Sequence, residues 1–477
     1  MEISRSLVIK SLAWKFLEKM GTQGISFVVS VVLARLLAPH EYGLIAMISI
    51  FFAISGTLIE GGFGSALIQK KNATNIDFST IFYVSLSSSF LLYSILYICA
   101  PLIASFYNQP ILSTIVRVSG LSLFLGAINS VQGAYLSKNM MFRKSFLCNI
   151  ISTILSGIIG ITMAYKGYGV WALVAQSLFA GIFGTVYMWF AIGWRPQLVF
   201  SFQSLKELFG FGSKILITSL IISLFKNIRG LVIGKMYAPA MLAFFEKGKS
   251  MPNLIISNLS STIQGILFPV LSNSQDDKAK VKSILKRSIK TSALLVFPCI
   301  TLLFVTARPL VILLFTEKWL PTVPFLQIFC LAYIILPIQS ANMQVVQSLG
   351  RSDLTLKIEI IKKILELIIM VISFTISVEA VAWGIVIYNY VCLFINLYPN
   401  RKLIKYSYLE QIADITPNMI ATIIMGLSVY FFIYLHLSNF VIIILQVLGG
   451  LILYFSICFL FKIESFVYIY NIIKSHR

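Results

Sequence analysis

Charge is what this 477-residue sequence has least of. Asp, Glu, Lys and Arg together make up 12% of it, about half the share usual in soluble chains. Histidine occurs three times, at His40, His436 and His476, each beside an expected helix end. That excludes a relay of histidines carrying protons through the interior. The six cysteines (Cys99, Cys148, Cys299, Cys330, Cys392 and Cys458) lie scattered in apolar stretches. None has CxxC or metal-ligand spacing, so neither a disulfide framework nor a zinc site is indicated. There is no phosphate-cradling glycine loop and no nucleophile–base constellation. No segment between the apolar runs is long enough to hold a soluble domain, the longest being 192–206 and 270–283. A membrane glycosyltransferase or polymerase usually needs such a loop to hold its reaction, so an enzyme is not expected.

What is abundant is apolar surface. Hydrophobic residues are 58% of the chain and mean hydropathy is +0.90. A water-soluble fold cannot hide that much, whereas a bilayer removes the need to. Only helices and closed barrels span a bilayer, because each backbone polar group must be satisfied internally. The runs here reach about 20 residues or more without strict alternation, which reads as helix rather than barrel strand. We expect an all-α integral membrane protein of about 14 transmembrane helices. They fall near 12–36, 42–68, 78–106, 111–137, 145–165, 168–191, 207–236, 240–269, 284–306, 320–349, 354–377, 380–400, 411–435 and 438–461. The opening MEISRSLVIKSLAWKFLEKMG has charges spread through its apolar stretch and no small-residue cleavage site, so the first helix is expected to be retained.

The formal charge of +21 could point to nucleic acid. Its distribution points elsewhere. Loops on one side of the expected membrane carry 23 basic residues and those on the other only five, Arg35, Lys166, Lys235, Arg308 and Lys318. Basic residues gather in cytoplasmic loops, so both termini are expected in the cytoplasm of a bacterial inner-membrane, multi-pass protein, with no nucleic acid as partner. The run KAKVKSILKRSIK (278–290) reads as an amphipathic linker on that face, able to meet anionic lipid.

Four short matches recur in order. ARLLAP (34–39) pairs with GKMYAP (234–239), PLIASF (101–106) with PLVILLF (309–315), YLSKNMMFRK (135–144) with SLGRSDLTLK (348–357), and WALV (171–174) with WGIV (383–386). Six helices per repeat is an even number, so the halves run parallel. We expect two parallel six-helix lobes, 1–200 and 201–406, with 407–477 holding two additional helices and a tail. Two lobes facing a central cavity suit a transporter that rocks between orientations.

Several stretches carry a family resemblance: LARLLAPHEYGLIAM (33–47), IEGGFGSALIQKK (59–71), GILFPVLSNSQDD (265–277), PLVILLFTEKWLPTVPFLQI (309–328) and LGRSDLTLKIE (349–359). On them the chain resembles the Wzx-type polysaccharide flippases of the multidrug/oligosaccharidyl-lipid/polysaccharide (MOP) exporter superfamily, the branch that handles lipopolysaccharide, colanic-acid and teichuronic-acid precursors. The resemblance implies fourteen helices in two MATE-like lobes. It implies the movement of undecaprenyl-diphosphate-linked oligosaccharide across the inner membrane for O-antigen, capsule or exopolysaccharide synthesis, beside glycosyltransferases and a polysaccharide polymerase. At LFKNIRGLVIGK (224–235), Arg229 stands where relatives often carry an acid, so no role of that acid transfers here.

Ionisable residues inside spans are costly and usually face a cavity or a partner. Lys226 and Arg229, three apart in the seventh span, share a face. Lys247 and Lys249 lie in the eighth span with Glu246 as partial counter-ion, and Arg117 in the fourth. A diphosphate offers charge and many acceptors, which arginine can grip with a two-pronged fork and lysine as a point charge. Arg117, Lys226, Arg229, Lys247 and Lys249 are therefore the candidate substrate-binding cations. Snorkelling to the surface or internal pairing is the bland alternative, and for Lys15, Glu18 and Lys19 it is at least as good. In the eleventh span Lys362 and Glu366 are spaced to pair. Glu366, near mid-membrane, is also a candidate to bind Na+ or a proton and couple transport to a gradient. Glu60, beside Gly61, Gly62 and Gly64, is a second candidate, although those glycines read first as packing or bending positions. No cofactor or metal is expected beyond a coupling ion. The competing function is an ion-coupled multidrug exporter of the same superfamily, but cationic drugs favour acidic cavities and the charges here are mainly basic.

Overall fold

A computed structural model describes residues 5–435 and 437–475, with side chains described from Ala13 onward except at 262, 264, 469, 472, 473 and 475. His436, His476 and Arg477 lie outside the described residues. Among those residues every regular element is helical. The chain divides into two compact units, one ending at Ala243 and one beginning at Phe244.

The first unit contains α1 (Arg5–Leu36), α2 (Pro39–Glu60), the short α3 (Phe63–Gln69), α4 (Asn75–Tyr107), α5 (Ile111–Ser119), α6 (Ser122–Lys138), α7 (Phe142–Tyr165), α8 (Val170–Ala191) and α9 (Phe202–Met236). The next helix, α10 (Pro239–Ser272), starts there and runs on into the second unit. That unit continues through α11 (Lys278–Val305), α12 (Ala307–Phe315), α13 (Thr322–Tyr333), α14 (Leu336–Ser348), α15 (Ser352–Phe374), α16 (Val378–Leu403), α17 (Tyr408–Tyr430), α18 (Asn439–Leu460) and α19 (Glu464–Ser475).

Among the described residues, thirteen spans, single helices or short helices in tandem, are long and apolar enough to cross a bilayer. The fourteenth expected span is α15, a helix of 23 residues that carries Asp353, Lys357, Glu359, Lys362, Lys363 and Glu366. Its length suffices to cross, and its charge sets it apart. Large apolar side chains such as Ile98, Leu102, Phe190 and Ile372 point outward and are well exposed, as they must be when acyl chains are the solvent. The polypeptide breaks where local chemistry allows. Gly61 and Gly62 both take left-handed backbone angles (φ 54° and 69°) and end α2 before α3 begins. Gly62 has no room for a side chain, since a Cβ there would lie 2.4 Å from the Gly212 carbonyl on α9. Proline opens both α2, at Pro39, and α10, at Pro239, where its missing N–H costs nothing.

Two of the four sequence matches fall on helix junctions, with YLSKNMMFRK joining α6 to α7 and SLGRSDLTLK joining α14 to α15. ARLLAP and GKMYAP end α1 and α9 and open α2 and α10, while WALV and WGIV lie early in α8 and α16. Within the first unit α9 lies against α2, α3 and α4.

The first unit is held by a cluster in which Trp194, after α8, packs among Phe78, Phe82 and Tyr135. The backbone beyond it is tied down where Gln197 and Ser201 donate to the buried Ser79 and Thr80 hydroxyls at 3.0 and 3.1 Å. In the second unit, Val281, Leu285 and Ile289 recur every fourth residue along α11 and are fully buried. The basic run 278–290 is therefore amphipathic, as its sequence implies. It is not a separate linker, however, but the first turns of the spanning helix α11, capped by the Asp277 carboxylate on the Ala279 and Lys280 amides at 3.0 Å.

Candidate functional site

Each candidate cation is placed by its helix. In the first unit, Lys226 is exposed on α9 and Arg229 half-buried one turn on, so the two share a face. Arg117 sits near the end of α5. Its Nε donates to the Tyr97 carbonyl at 3.4 Å and its guanidinium lies 4.5 Å over the Tyr97 ring. The structure thus joins Arg117 to α4. In the second unit, the Lys247 ammonium stands 4.5 Å over the Phe315 ring and 5.7 Å from that of Trp319. Both rings are buried to 2% exposure or less. Attraction to a ring face partly replaces the water that such a cation loses. Lys249 pairs with Glu246 at 3.1 Å, so the expected counter-ion of the α10 cations serves this lysine first.

The carboxylates fare differently. Glu60 is exposed at the end of α2, next to the left-handed Gly61. Glu366 is 6% exposed. Its partner is Lys363, at 2.8 Å, rather than the expected Lys362, which bonds Glu359 instead. Helix neighbours at three and at four residues are both within reach. Glu359, a turn earlier, competes for Lys362, which leaves Lys363 to Glu366. Near the middle of α1, Glu18 is buried and accepts from Ser145 at 2.9 Å and Asn149 at 2.7 Å on α7. It fastens two helices rather than snorkelling.

Three polar constructions escaped the sequence reading. Lys70, counted there only as a loop cation, bridges Asp77 at 2.9 Å and Glu207 at 3.0 Å. The hydrogen bond to Asp77, with Glu207 adding to it, raises the Lys70 ammonium above its ordinary titration range against the opposing effect of burial. A second construction is a buried carboxamide zipper. Asn389 on α16 donates to the Ala332 carbonyl at 2.9 Å, and Gln339 on α14 returns a bond to the Asn389 carbonyl at 2.6 Å. Asn400 donates to Asn342 Oδ1 at 2.7 Å, and Asn342 donates to Gln411 Oε1 of α17 at 3.0 Å. Asn389, Asn396 and Asn400 are spaced seven and four apart, one face of a helix. That spacing was the available signal. Third, Asp414 of α17 receives Lys290 at 2.9 Å and Lys286 at 3.0 Å from α11, and Tyr406 donates to it at 2.7 Å. Burial first, and then the bond to Asp414, keep the Tyr406 phenol protonated well above its usual range. Among the described residues no group of histidine, cysteine and carboxylate side chains could hold a metal ion.

Comparison with known proteins gives these features a setting. A family model described as "Polysaccharide biosynthesis protein" matches residues 32–324. The chain is 26% identical over 300 residues to the teichuronic acid biosynthesis protein TuaB of Bacillus subtilis (strain 168), covering 62% of each chain. It is 24% identical over 472 residues to the succinoglycan biosynthesis transport protein ExoT of Rhizobium meliloti (strain 1021), covering 94% of this chain and 91% of that one. It is 23% identical over 372 residues to the lipopolysaccharide biosynthesis protein WzxC of Escherichia coli (strain K12), covering 76% and 74%. In fold it is similar to the lipid II flippase MurJ in an inward closed conformation, with TM-score 0.76 at 14% identity, covering 95% of this chain and 99% of that one. An inward-facing multidrug resistance MATE transporter of the MOP superfamily gives TM-score 0.60 at 16% identity, covering 80% and 94%. At such identities these two likenesses speak for the fold alone.

Proposed function

The chain belongs to the polysaccharide biosynthesis protein family, as a Wzx-type member of the MOP superfamily, and from that premise we propose that it flips undecaprenyl-diphosphate-linked oligosaccharide across the bacterial inner membrane by alternating access. The observation that carries this reading is the pairing of polysaccharide-biosynthesis relatives along most of the chain with spans whose charges are mainly cations. A drug exporter of the MATE kind shares the fold, but a basic interior suits an anionic headgroup rather than a cationic drug.

In this mechanism both termini are cytoplasmic, and the lobes 1–200 and 201–406 are the moving bodies. Precursor made by glycosyltransferases enters from the inner leaflet and is delivered to a polymerase outside. The diphosphate meets Arg229 and Lys226 on one face of α9. The arginine fork supplies two parallel hydrogen bonds and the lysine a point charge. Lys249, already paired with Glu246, exchanges a carboxylate for a phosphate oxygen. Lys247, held over Phe315, and Arg117, held over Tyr97, are the further candidate cations for the headgroup. The polyprenyl tail stays in lipid. Glu366 couples the cycle when Na+ or a proton displaces the Lys363 ammonium from it, with Glu60 the weaker candidate for that step.

Replacing Lys226 and Arg229 together with alanine is expected to abolish surface polysaccharide while membrane levels of the protein stay normal. Surface polymer at the original level in that variant would remove α9 from the cargo site.

A further inference from the structure

A cavity of about 490 Å³ in the second unit takes no part in the transport steps. It runs along α17 from Asp414 to Ile424 and is closed by the ends of α18 and α19. Ten residues of helix span about 15 Å, and polarity changes completely over that length. One end holds Lys290, Asp414, Asn418, Lys462, Glu464 and Ser465, while the other is walled by Ile420, Ile424 and Ile457. Ile420 and Ile424 are about half exposed, so the apolar end opens sideways, where the bilayer lies.

The polar end carries both signs of charge within one ordered network. Lys290 bonds Glu464 and sits 2.9 Å from Asp414. The Ser465 hydroxyl donates to Asn418 at 3.3 Å, and Asn418 donates to the Lys290 carbonyl at 3.4 Å. Lys462 is exposed at the end of α18, with its backbone in the left-handed region (φ 47°). Glu464 keeps 75% of its side chain exposed despite its bond to Lys290, so its carboxylate can accept further donors. Pro417 adds an acceptor. Having no N–H, it cannot bond the Ala413 carbonyl one helical turn earlier, and both residues line the cavity.

We infer that this cavity binds one zwitterionic phospholipid with an ethanolamine headgroup. The lipid phosphate lies against Lys462 and Lys290, its ammonium donates to Glu464 and the Ala413 carbonyl, and its acyl chain follows Ile420, Ile424 and Ile457 into the bilayer. Lys286 and Lys290 both pair with Asp414, so the mostly exposed Glu464 is the carboxylate left to meet a ligand; it calls for a cationic group beside the phosphate, which an anionic headgroup does not bring. A choline headgroup brings charge without N–H donors, which leaves the Ala413 carbonyl unmet. Such a lipid would tie α17, α18 and α19 together at their shared end.

The test uses the full chain purified in detergent, stripped of lipid and titrated with phosphatidylethanolamine, phosphatidylcholine or phosphatidylglycerol of identical acyl chains. Bound lipid is counted by native mass spectrometry. One phosphatidylethanolamine is expected to bind about tenfold more tightly than either alternative, the scale of one charge-assisted hydrogen bond. Glu464→Gln should erase that preference by weakening phosphatidylethanolamine and not phosphatidylglycerol, whereas Lys462→Ala should weaken all three lipids alike. Equal affinities for the unaltered protein, tighter binding of phosphatidylglycerol, or a preference that survives Glu464→Gln would each overturn the assignment. If Glu464→Gln merely loosens α19, all three affinities fall together and the preference survives, so a purely structural role gives a distinct result.

Discussion

Glu366 lies within reach of two lysines and bonds Lys363, while Glu359 takes Lys362. The pairing decides what the residue can do. A carboxylate that is 6% exposed with one cation 2.8 Å away can trade that cation for Na+ or a proton without opening to bulk water. In the proposed cycle Glu366 is the coupling carboxylate, so Glu366→Gln is expected to make transport insensitive to imposed Na+ and pH gradients, as measured by uptake into vesicles. Unaltered dependence on both gradients would assign Glu366 to structure alone. Lys70 makes a separate case. Its folded titration point is raised by Asp77 and Glu207, so its stabilising effect is complete below the ordinary lysine range and is lost as pH rises through the raised value. Lys70→Met should lower the melting temperature between pH 7 and about 9, and the gap should close as the pH passes above the raised titration point of Lys70. A gap that stays constant into strong alkali would contradict this linkage.

At the scale of elements, the second unit is sewn together by amides. Asn342 is fully buried on α14 and reaches both α16, through Asn400, and α17, through Gln411. Asn342→Ala leaves the Gln411 oxygen without that donor inside a packed unit. The expected loss is about 1–2 kcal/mol of stability, between the mean for polar contacts in membranes and the cost of an unmet buried acceptor, read by unfolding in detergent. No change would mean that water or a neighbour takes over. The helices themselves were plain in the sequence, because a bilayer demands about 20 apolar residues per crossing and each one advertises itself. The break at Gly61–Gly62 was visible as a bending position. Why Gly62 must stay small was not, since the reason is the Gly212 carbonyl some 150 residues further along the chain. The zipper was hidden for the same reason. Its spacing on α16 was there to read, but its partners depend on the register of helices about fifty residues apart in sequence.

For the whole molecule, charge separates two kinds of information. Loop charges, counted by side, orient the expected spans without knowledge of any contact, because lipid and translocation act on each loop independently. Charges within spans have to find partners, and those are set only by packing. Lys290 reads as a loop cation and turns out to be a 9%-exposed link between α11, α17 and α19. Arg117 reads as a cavity cation and is engaged by Tyr97. Lys226 and Arg229 lie together on one face of α9, as the sequence places them. The account therefore rests most heavily on that face. The direct measurement is reconstitution of the purified protein in liposomes, following movement of a fluorescent undecaprenyl-diphosphate oligosaccharide between leaflets, for the unaltered chain and for the Lys226→Ala, Arg229→Ala double variant. The account predicts movement by the unaltered protein and a fall of at least about a hundredfold in the folded double variant, the scale of losing two charge-assisted contacts to the diphosphate. Equal rates for the two proteins, or no movement of a diphosphate-linked sugar by the unaltered one, would contradict it.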